Sequence, residues 1–238
     1  MQIKKHITVS FVLLIAALLI STSAFGQQPD TEKQVAAFKQ AVQKSMAGLR
    51  KYEWTETTTV SLKGEVKSQK HNRCYYGADG KVQKVPLDDG SATQESSGRG
   101  GRLKKRIVAK KKQEMADYMK DAVGLIHKYV PPDPELIQSS KESGNVTVQP
   151  VEGTSLVHVS FRDFIAKGDV VSANLDVKSN FIVDINIATF LESDKDNVNA
   201  TIRFDKLADG TSFASEIVLD AKSKNLQVVV TNSGHRPI

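Results

Sequence analysis

The sequence predicts an α+β fold in which a strongly curved antiparallel β-sheet has its concave face covered by helices. Helical periodicity near the start, at residues 31–50, and again at 103–139 gives way after Val146 to alternation of apolar and polar residues. Short turns separate the later strands, which favours antiparallel pairing because parallel pairing needs a long crossover. The order is helix, hairpins, helical insertion and meander, which disfavours a doubly wound βαβ sheet.

The first 26 residues have the layout of a secretory signal peptide. Lys4 and Lys5 precede the unbroken apolar run from Phe11 to Ile20, and small residues follow up to Gly26. A membrane anchor is the competing interpretation, but the run is shorter than the ~20 residues that span a bilayer. We expect cleavage before Gln27, no lipidation because no cysteine follows the run, and a single domain over residues 27–238 in the periplasm or outside the cell.

The stretch from residue 31 to 50 predicts an amphipathic helix, with Thr31 and Gln34 fitting a capping box. Alternating apolar and polar residues in 52–62 predict a strand. Lys63 and Gly64 predict a tight turn, after which residues 66–76 can return as an antiparallel strand. After a GADG turn, 82–87 predicts a short strand, which Pro86 places at an edge or an end. Residues 88–102 predict a flexible, basic loop.

Helical periodicity in residues 103–139 predicts an insertion that acts as a lid. The stripe from Leu103 to Tyr129, widened by Val108, Val123 and Val130, fits one long helix or two joined near Gly124. Pro131 ends it. Asp133 then caps a short helix. From Val146 the alternation predicts a succession of strands, with turns near 167–169, 178–180, 193–197, 208–210 and 222–225.

The residue pattern offers little support for catalysis. No two histidines lie within four residues of one another, and metal-binding or GxSxG motifs are missing, although His71 lies three residues before the single cysteine, Cys74. Asp194 and Asp196 could be read as a calcium loop, but a polar hairpin turn explains them better. We therefore expect no cofactor, no metal and no enzymatic activity, and Cys74 fits a packed small residue.

The basic run SSGRGGRLKKRIVAKKK, residues 96–112, has eight cations and no acidic residue. A nucleic-acid arm is disfavoured, because export separates the protein from nucleic acid and no aromatic residues interleave the cations. Two interpretations stay open: a solvated helix start, or a site for anionic headgroups or an acidic partner. That site would comprise Arg99, Arg102, Lys104, Lys105 and Arg106.

The element order and strand style resemble a known superfamily. The sequence has a helix ending in LRKYEWTETTTVSL, a hairpin, a helical insertion and a meander ending in NATIRFDKLADGTSFASEIVLDAKSKNLQVVV. This layout is similar to the LolA/LolB-like periplasmic lipoprotein carriers and their lipid-binding relatives. The resemblance implies an incomplete β-barrel covered by helices, with an apolar cavity for acyl chains.

These observations lead to two hypotheses. The first is a monomeric, non-catalytic carrier for a lipid or for the acyl chains of a lipoprotein. The second is an interaction module with a packed core, which docks on an anionic membrane surface or an acidic partner through the basic insertion. The apolar and aromatic residues could equally form an ordinary core. Under the first hypothesis the ligand pocket consists of Trp54, Val60, Leu62, Met115, Met119, Ile126, Ile185, Ile187, Ile202 and Phe204.

Overall fold

The computed structural model describes residues 31–87, 102–130 and 133–238. The predicted signal peptide and residues 88–101 of the predicted loop, including Arg99, lie outside these ranges. The described helices are α1 (Thr31–Leu49), α2 (Arg102–Ile126) and α3 (Pro134–Glu142). The strands are β1 (Tyr52–Leu62), β2 (Glu65–Tyr76), β3 (Val82–Pro86), β4 (Val146–Pro150), β5 (Leu156–Arg162), β6 (Val170–Asp176), β7 (Phe181–Phe190), β8 (Asn197–Lys206), β9 (Ser212–Ala221) and β10 (Leu226–Pro237).

The described strands form one ten-stranded sheet in the order β3-β2-β1-β10-β9-β8-β7-β6-β5-β4. Every neighbouring pair is antiparallel, and β3 and β4 are the two edges, so the barrel that these strands outline is open. The predicted fold class is therefore confirmed. Pro86 lies in an edge strand, as its missing N–H requires.

Local turn chemistry explains several of the hairpins. Lys63 and Gly64 both have positive φ, 55° and 78°, as the two central residues of a type I′ turn require. Asn180 and Asn225 also have positive φ, 50° and 51°, and asparagine tolerates this conformation better than most residues. The predicted turns therefore coincide with breaks between observed strands.

The core lies between the concave face of the sheet and the helices. Alternate residues of β6 and β7, such as Ala173 and Ile185, point inward and are buried, and Tyr129 and Ile137 from the helical insertion pack onto them. Asp133 caps α3 as predicted, because its side chain accepts a hydrogen bond from the Glu135 amide at 2.9 Å. The insertion and the sheet thus share one apolar layer.

Helix α1 is anchored to the same apolar layer and to the start of β9. Val42 packs against the same core, and the Ser212 amide donates to Ser45 Oγ at 3.0 Å. Gly48 lies so close to Thr211 that a Cβ at residue 48 would be 2.3 Å from Thr211 Oγ1. Glycine weakens the interior of a helix, but at residue 48 it permits the close approach of this loop.

Helix α2 is a single helix that continues through Gly124 to Ile126. The predicted apolar stripe is right for Ala122 and Tyr129, both of which are buried, but wrong for Val123, which is exposed. Each helical residue turns the side chain by about 100° relative to its predecessor, so Val123 faces away from the sheet when Ala122 faces it.

The outer face of the sheet is polar. A ladder of side-chain hydrogen bonds crosses four strands, from His158 to Asn174, from Asn174 to Asp184, from Asn186 to Asp184 and from Thr201 to Asn186. The alternating sequence predicts this arrangement, in which one face of the sheet is apolar and buried and the other is polar and exposed to solvent.

Candidate binding site under helix α2

The predicted pocket residues divide between two apolar clusters. Ile185, Ile187, Ile202 and Phe204 belong to the first cluster, together with residues of β5, β6 and α3. The second cluster contains Val60, Leu62, Met115 and Met119, which lie between α2 and strands β1, β10, β9 and β8. Ile126 contacts both clusters and joins them.

Each cluster combines buried and partly buried side chains. Ile185 and Ile187 each keep only 2% of their surface exposed, so these two predicted pocket residues lie in a packed interior. In the second cluster, the side chains through which α2 packs on β1 and β10 include several that are only partly buried. We call these residues the apolar trough: Val60, Leu62, Met115, Met119 and Val230. The trough is floored by the buried Leu226 and Val228.

Trp54 lies apart from both clusters. Its ring stacks on His235 with the centroids 5.8 Å apart and contacts Tyr76 at the same distance. The His235 ring also packs against Phe213 at 4.1 Å, and Trp54 Nε1 donates to Asn232 Oδ1 at 3.0 Å. Burial lowers the pKa of His235 below its usual range. Trp54 is therefore near one end of the sheet, in an aromatic group separate from the trough.

The sequence pattern did not identify a buried carboxylate that lies beside this aromatic group. Glu56 is buried on the inward-facing side of β1, and both of its carboxylate oxygens lie 2.6 Å from Lys84 Nζ. Cys74 is also fully buried, as predicted, and burial followed by the Glu56 charge raises the pKa of its thiol. The pairing with Lys84 needs β3 beside β2, which residue spacing alone does not reveal.

Two tyrosines of the helical insertion attach it to the sheet. Tyr118 Oη donates to Asp196 Oδ1 at 2.7 Å, in the turn between β7 and β8, and Ser223 Oγ donates to the same oxygen. Desolvation is the main cause that raises the pKa of Tyr118. Asp196 thus has a structural role in the turn that could also be read as a calcium loop.

The second attachment is fully buried. Tyr129 Oη donates to Asp169 Oδ2 at 2.7 Å and lies 2.8 Å from Thr189 Oγ1. Asp169 also accepts from the amides of Phe164, Ile165 and Ala166, so four donors surround a carboxylate that has no exposed surface. Desolvation raises the pKa of Tyr129 well above its usual range. The sequence shows Asp169 only as a turn residue.

The predicted basic site is only partly described. Arg106 is exposed, as are Lys110 and Lys111 on the following turn, and Lys110 Nζ lies 3.8 Å from the exposed Glu114 carboxylate. The side chains of Arg102, Lys104 and Lys105 lie outside the described part of the structure, although α2 includes their backbone. The described cations of this segment therefore face solvent.

Within residues 31–87, 102–130 and 133–238 there is no cluster of three or more histidine, cysteine, aspartate or glutamate side chains that could hold a metal ion. In the same ranges, no helix combines the length and the apolar character that a bilayer crossing demands.

No protein-family model matches the chain, and no curated protein matches it. Among solved structures, the chain is similar to a DUF1329 family protein from Desulfovibrio piger, with 10% identity, a TM-score of 0.36 and coverage of 85% of this chain and 92% of that one. It is also similar to a LolA superfamily protein from Nitrosomonas europaea, with 8% identity, a TM-score of 0.38 and coverage of 84% and 93%.

A third similar structure is a candidate outer membrane lipoprotein-sorting protein domain from Vibrio parahaemolyticus, with 8% identity, a TM-score of 0.36 and coverage of 83% and 91%. The superfamily that the sequence resembles is thus present among the matching structures.

Proposed function

We propose that this protein is a non-catalytic carrier for a lipophilic ligand, exported to the periplasm or the cell exterior, and that the ligand binds in the apolar trough beneath α2. The observation that carries the proposal is that partly buried apolar side chains of α2 and of strands β1 and β10 meet over the buried Leu226 and Val228. Of the predicted pocket, Val60, Leu62, Met115 and Met119 are the residues we assign to the ligand.

The dimensions and the energetics fit a single alkyl chain. The part of α2 that packs on the sheet, from Met115 to Ile126, is about 17 Å long at ~1.5 Å per residue, so it can cover part of an extended alkyl chain. Each buried methylene contributes about 0.8 kcal/mol. Micromolar retention, about 8 kcal/mol, therefore needs the net burial of on the order of ten methylenes. Met115 and Met119 suit this role because methionine adapts its shape to flexible ligands.

Native mass spectrometry and lipid extraction of the purified protein test the proposal directly. We expect a co-purifying lipid, and we expect the delipidated protein to take up a fluorescent fatty acid. Replacing Val60 and Met119 with glutamine should weaken that uptake at least about tenfold, since each change removes apolar contact worth on the order of 1 kcal/mol or more.

Val66→Gln is the matched control, because this valine is 64% exposed on the neighbouring strand β2 and lies outside the trough. It should leave fatty-acid uptake unchanged. A purified protein with no bound lipid and no uptake of the fluorescent fatty acid would contradict the proposal, as would equal losses from Val66→Gln and from the trough variants.

A second function, docking on anionic lipid headgroups, is favoured by the solvent-facing cations of α2. Arg106, Lys110 and Lys111 are exposed, and the single described ion pair among them is the exposed contact between Lys110 and Glu114. Contacts of this kind weaken as salt increases. Docking would bring the trough close to a bilayer from which a lipid could be taken up.

Co-sedimentation with phosphatidylglycerol vesicles tests this second function. We expect binding at low ionic strength that is lost at moderate ionic strength, and we expect loss of binding when Arg102, Lys104, Lys105 and Arg106 are all changed to glutamine. A control with the same loss of charge changes four exposed lysines elsewhere: Lys70, Lys81, Lys141 and Lys195. Equal binding by the two quadruple variants would eliminate the docking function.

A further inference from the structure

A β-bulge opens a small cavity on the outer face of the sheet. Between β1 and β10, Thr55 pairs with Ser233 and Glu53 pairs with Arg236, so β10 has one more residue than β1 in this interval. Gly234 occupies the bulge with φ of +63°, which glycine adopts without strain. Bulges of this kind are common beside functional sites because they re-aim the neighbouring side chains.

The cavity has a volume of about 130 Å³ and is lined by Glu53, Trp54, Thr55, Arg73, Leu87, Gly234 and Arg236. Two guanidinium groups and one carboxylate give its wall a net charge of +1. Glu53 is almost enclosed, with 13% of its side chain exposed, whereas Arg73 and Arg236 keep 45% and 69% exposed. The positive groups are therefore the accessible ones.

Glu53 uses only part of the hydrogen-bonding capacity of the two arginines. Arg236 donates from Nε to Glu53 Oε1. Arg73 Nη1 lies 3.7 Å from Glu53 Oε2, which is longer than a hydrogen bond. Each guanidinium has five N–H donors in a planar fork that matches carboxylate and phosphate oxygens. The arrangement thus leaves donors on two sides of one cavity available to a second anion.

Leu87 adds an apolar wall beside these donors. It is 52% exposed and is held in place because its amide donates to the His71 carbonyl at 2.8 Å. An anion with a short apolar attachment would contact both the guanidinium groups and this leucine. The volume suffices for one phosphate or carboxylate group with a few carbon atoms, but not for a long alkyl chain.

We propose that the cavity between Arg73 and Arg236 binds an oxyanion, a phosphate ester or a carboxylate, with Glu53 competing with this anion for the two guanidinium groups and Leu87 contacting the carbon attached to the anion. The site faces the side of the sheet opposite to the trough. It depends neither on the lid nor on a lipophilic ligand.

Trp54 supplies the probe, because it lines the cavity and is the single tryptophan of the chain. Titration with inorganic phosphate and with hexyl phosphate, at ionic strength held constant with chloride, should change its fluorescence saturably. Hexyl phosphate should bind more tightly than phosphate, and Leu87→Ser should remove this difference. Phosphatidic acid vesicles distinguish a lipid headgroup from a free phosphate ester as the source of the same chemistry.

The charge variants give opposite outcomes. Arg73→Gln and Arg236→Gln should each weaken hexyl phosphate binding about tenfold, equivalent to about 1.4 kcal/mol. Glu53→Gln should strengthen it, because the competing carboxylate is removed while the amide can still hydrogen-bond. A gain of binding cannot result from misfolding, so this variant separates a ligand site from a purely structural ion pair.

Arg203→Gln is the control for the loss of one exposed arginine, since Arg203 pairs with Glu216 away from the cavity; it should not alter binding. The proposal is overturned if neither phosphate nor hexyl phosphate changes Trp54 fluorescence, or if Glu53→Gln binds no more tightly than the natural protein. Because these probes lack a long alkyl chain, such a failure would leave the carrier function untouched.

Discussion

Replacing Tyr129 with phenylalanine removes one hydroxyl group from the buried attachment between the helical insertion and the sheet. That hydroxyl donates to Asp169 at 2.7 Å and lies 2.8 Å from Thr189 Oγ1. The phenyl ring retains the shape of the side chain and its packing against Phe164, whose ring centroid is 6.4 Å away. The change therefore tests the hydrogen bonds without creating a large cavity.

The expected magnitude follows from burial. A hydrogen bond to a charged acceptor contributes about 1.5–3 kcal/mol, and a buried group left without a partner costs about 1–3 kcal/mol. Asp169 retains three backbone donors after the change, which limits the loss at the carboxylate. We expect the free energy of unfolding to fall by about 2–4 kcal/mol.

Equilibrium urea unfolding, followed by Trp54 fluorescence, measures this loss. Tyr118→Phe is the matched control, because Tyr118 makes the equivalent contact to Asp196 at 2.7 Å where the acceptor is partly exposed and also bonded to Ser223. For this variant we expect a loss of about 0.5–1.5 kcal/mol. If Tyr129→Phe costs no more than Tyr118→Phe, the argument from burial is refuted.

Three further predictions concern stability. Gly48→Ala should destabilise the protein by about 1–3 kcal/mol through overpacking against Thr211. Adding Thr211→Ala should restore much of this loss in urea unfolding. If the double variant instead loses the sum of the two single losses, the steric explanation is contradicted. Gly124→Ala should stabilise the protein by about 0.5–1 kcal/mol, because nothing lies within 4 Å of the new methyl group; a loss in thermal unfolding would show that the helix needs glycine there. Hydrogen bonds from Ser179 and Ser155 lower the pKa of Asp176 to about 2. The ionised carboxylate therefore stabilises the folded protein fully above the unfolded pKa of about 3.9, and this stabilisation is lost as pH falls through about 2. Asp176→Asn should therefore be less stable than the natural protein at pH 7, and the difference should disappear below about pH 2; a difference that does not change with pH would refute this linkage.

Most of the fold could be predicted because its signals are local. The alternation of apolar and polar residues along 181–190 or 197–206 indicates a strand, whichever strand it pairs with. Lys63-Gly64 and Asp133-Pro134 indicate a turn and a helix start through the conformation of one or two residues. Short turns then fix antiparallel neighbours. The pairing of β1 with β10 has no such signal, because residues on opposite ends of the chain form it.

The candidate site could be predicted less completely. Val60 and Ile185 have the same alternating surroundings in the sequence, yet one borders the trough and the other is packed in the interior. Their difference depends on how α2 lies across the sheet, which is fixed partly by the contacts of Tyr118 and Tyr129. The acceptors of these two tyrosines are 78 and 40 residues away in turns, so periodicity could not identify them.

The pairing of β1 with β10 also constrains the order in which this protein can fold. Strands β1 to β3 and strands β4 to β10 can each form through neighbouring hairpins, whereas the pairing of β1 with β10 joins residues as far apart in the chain as Tyr52 and Pro237. Closing so long a loop is slow. Two sub-sheets should therefore assemble early with exposed edges at β1 and β10, and the pairing of these two edges should be the rate-limiting step. Until they pair, both edges are open to pairing with other chains, and the protein should be most prone to aggregate at that stage.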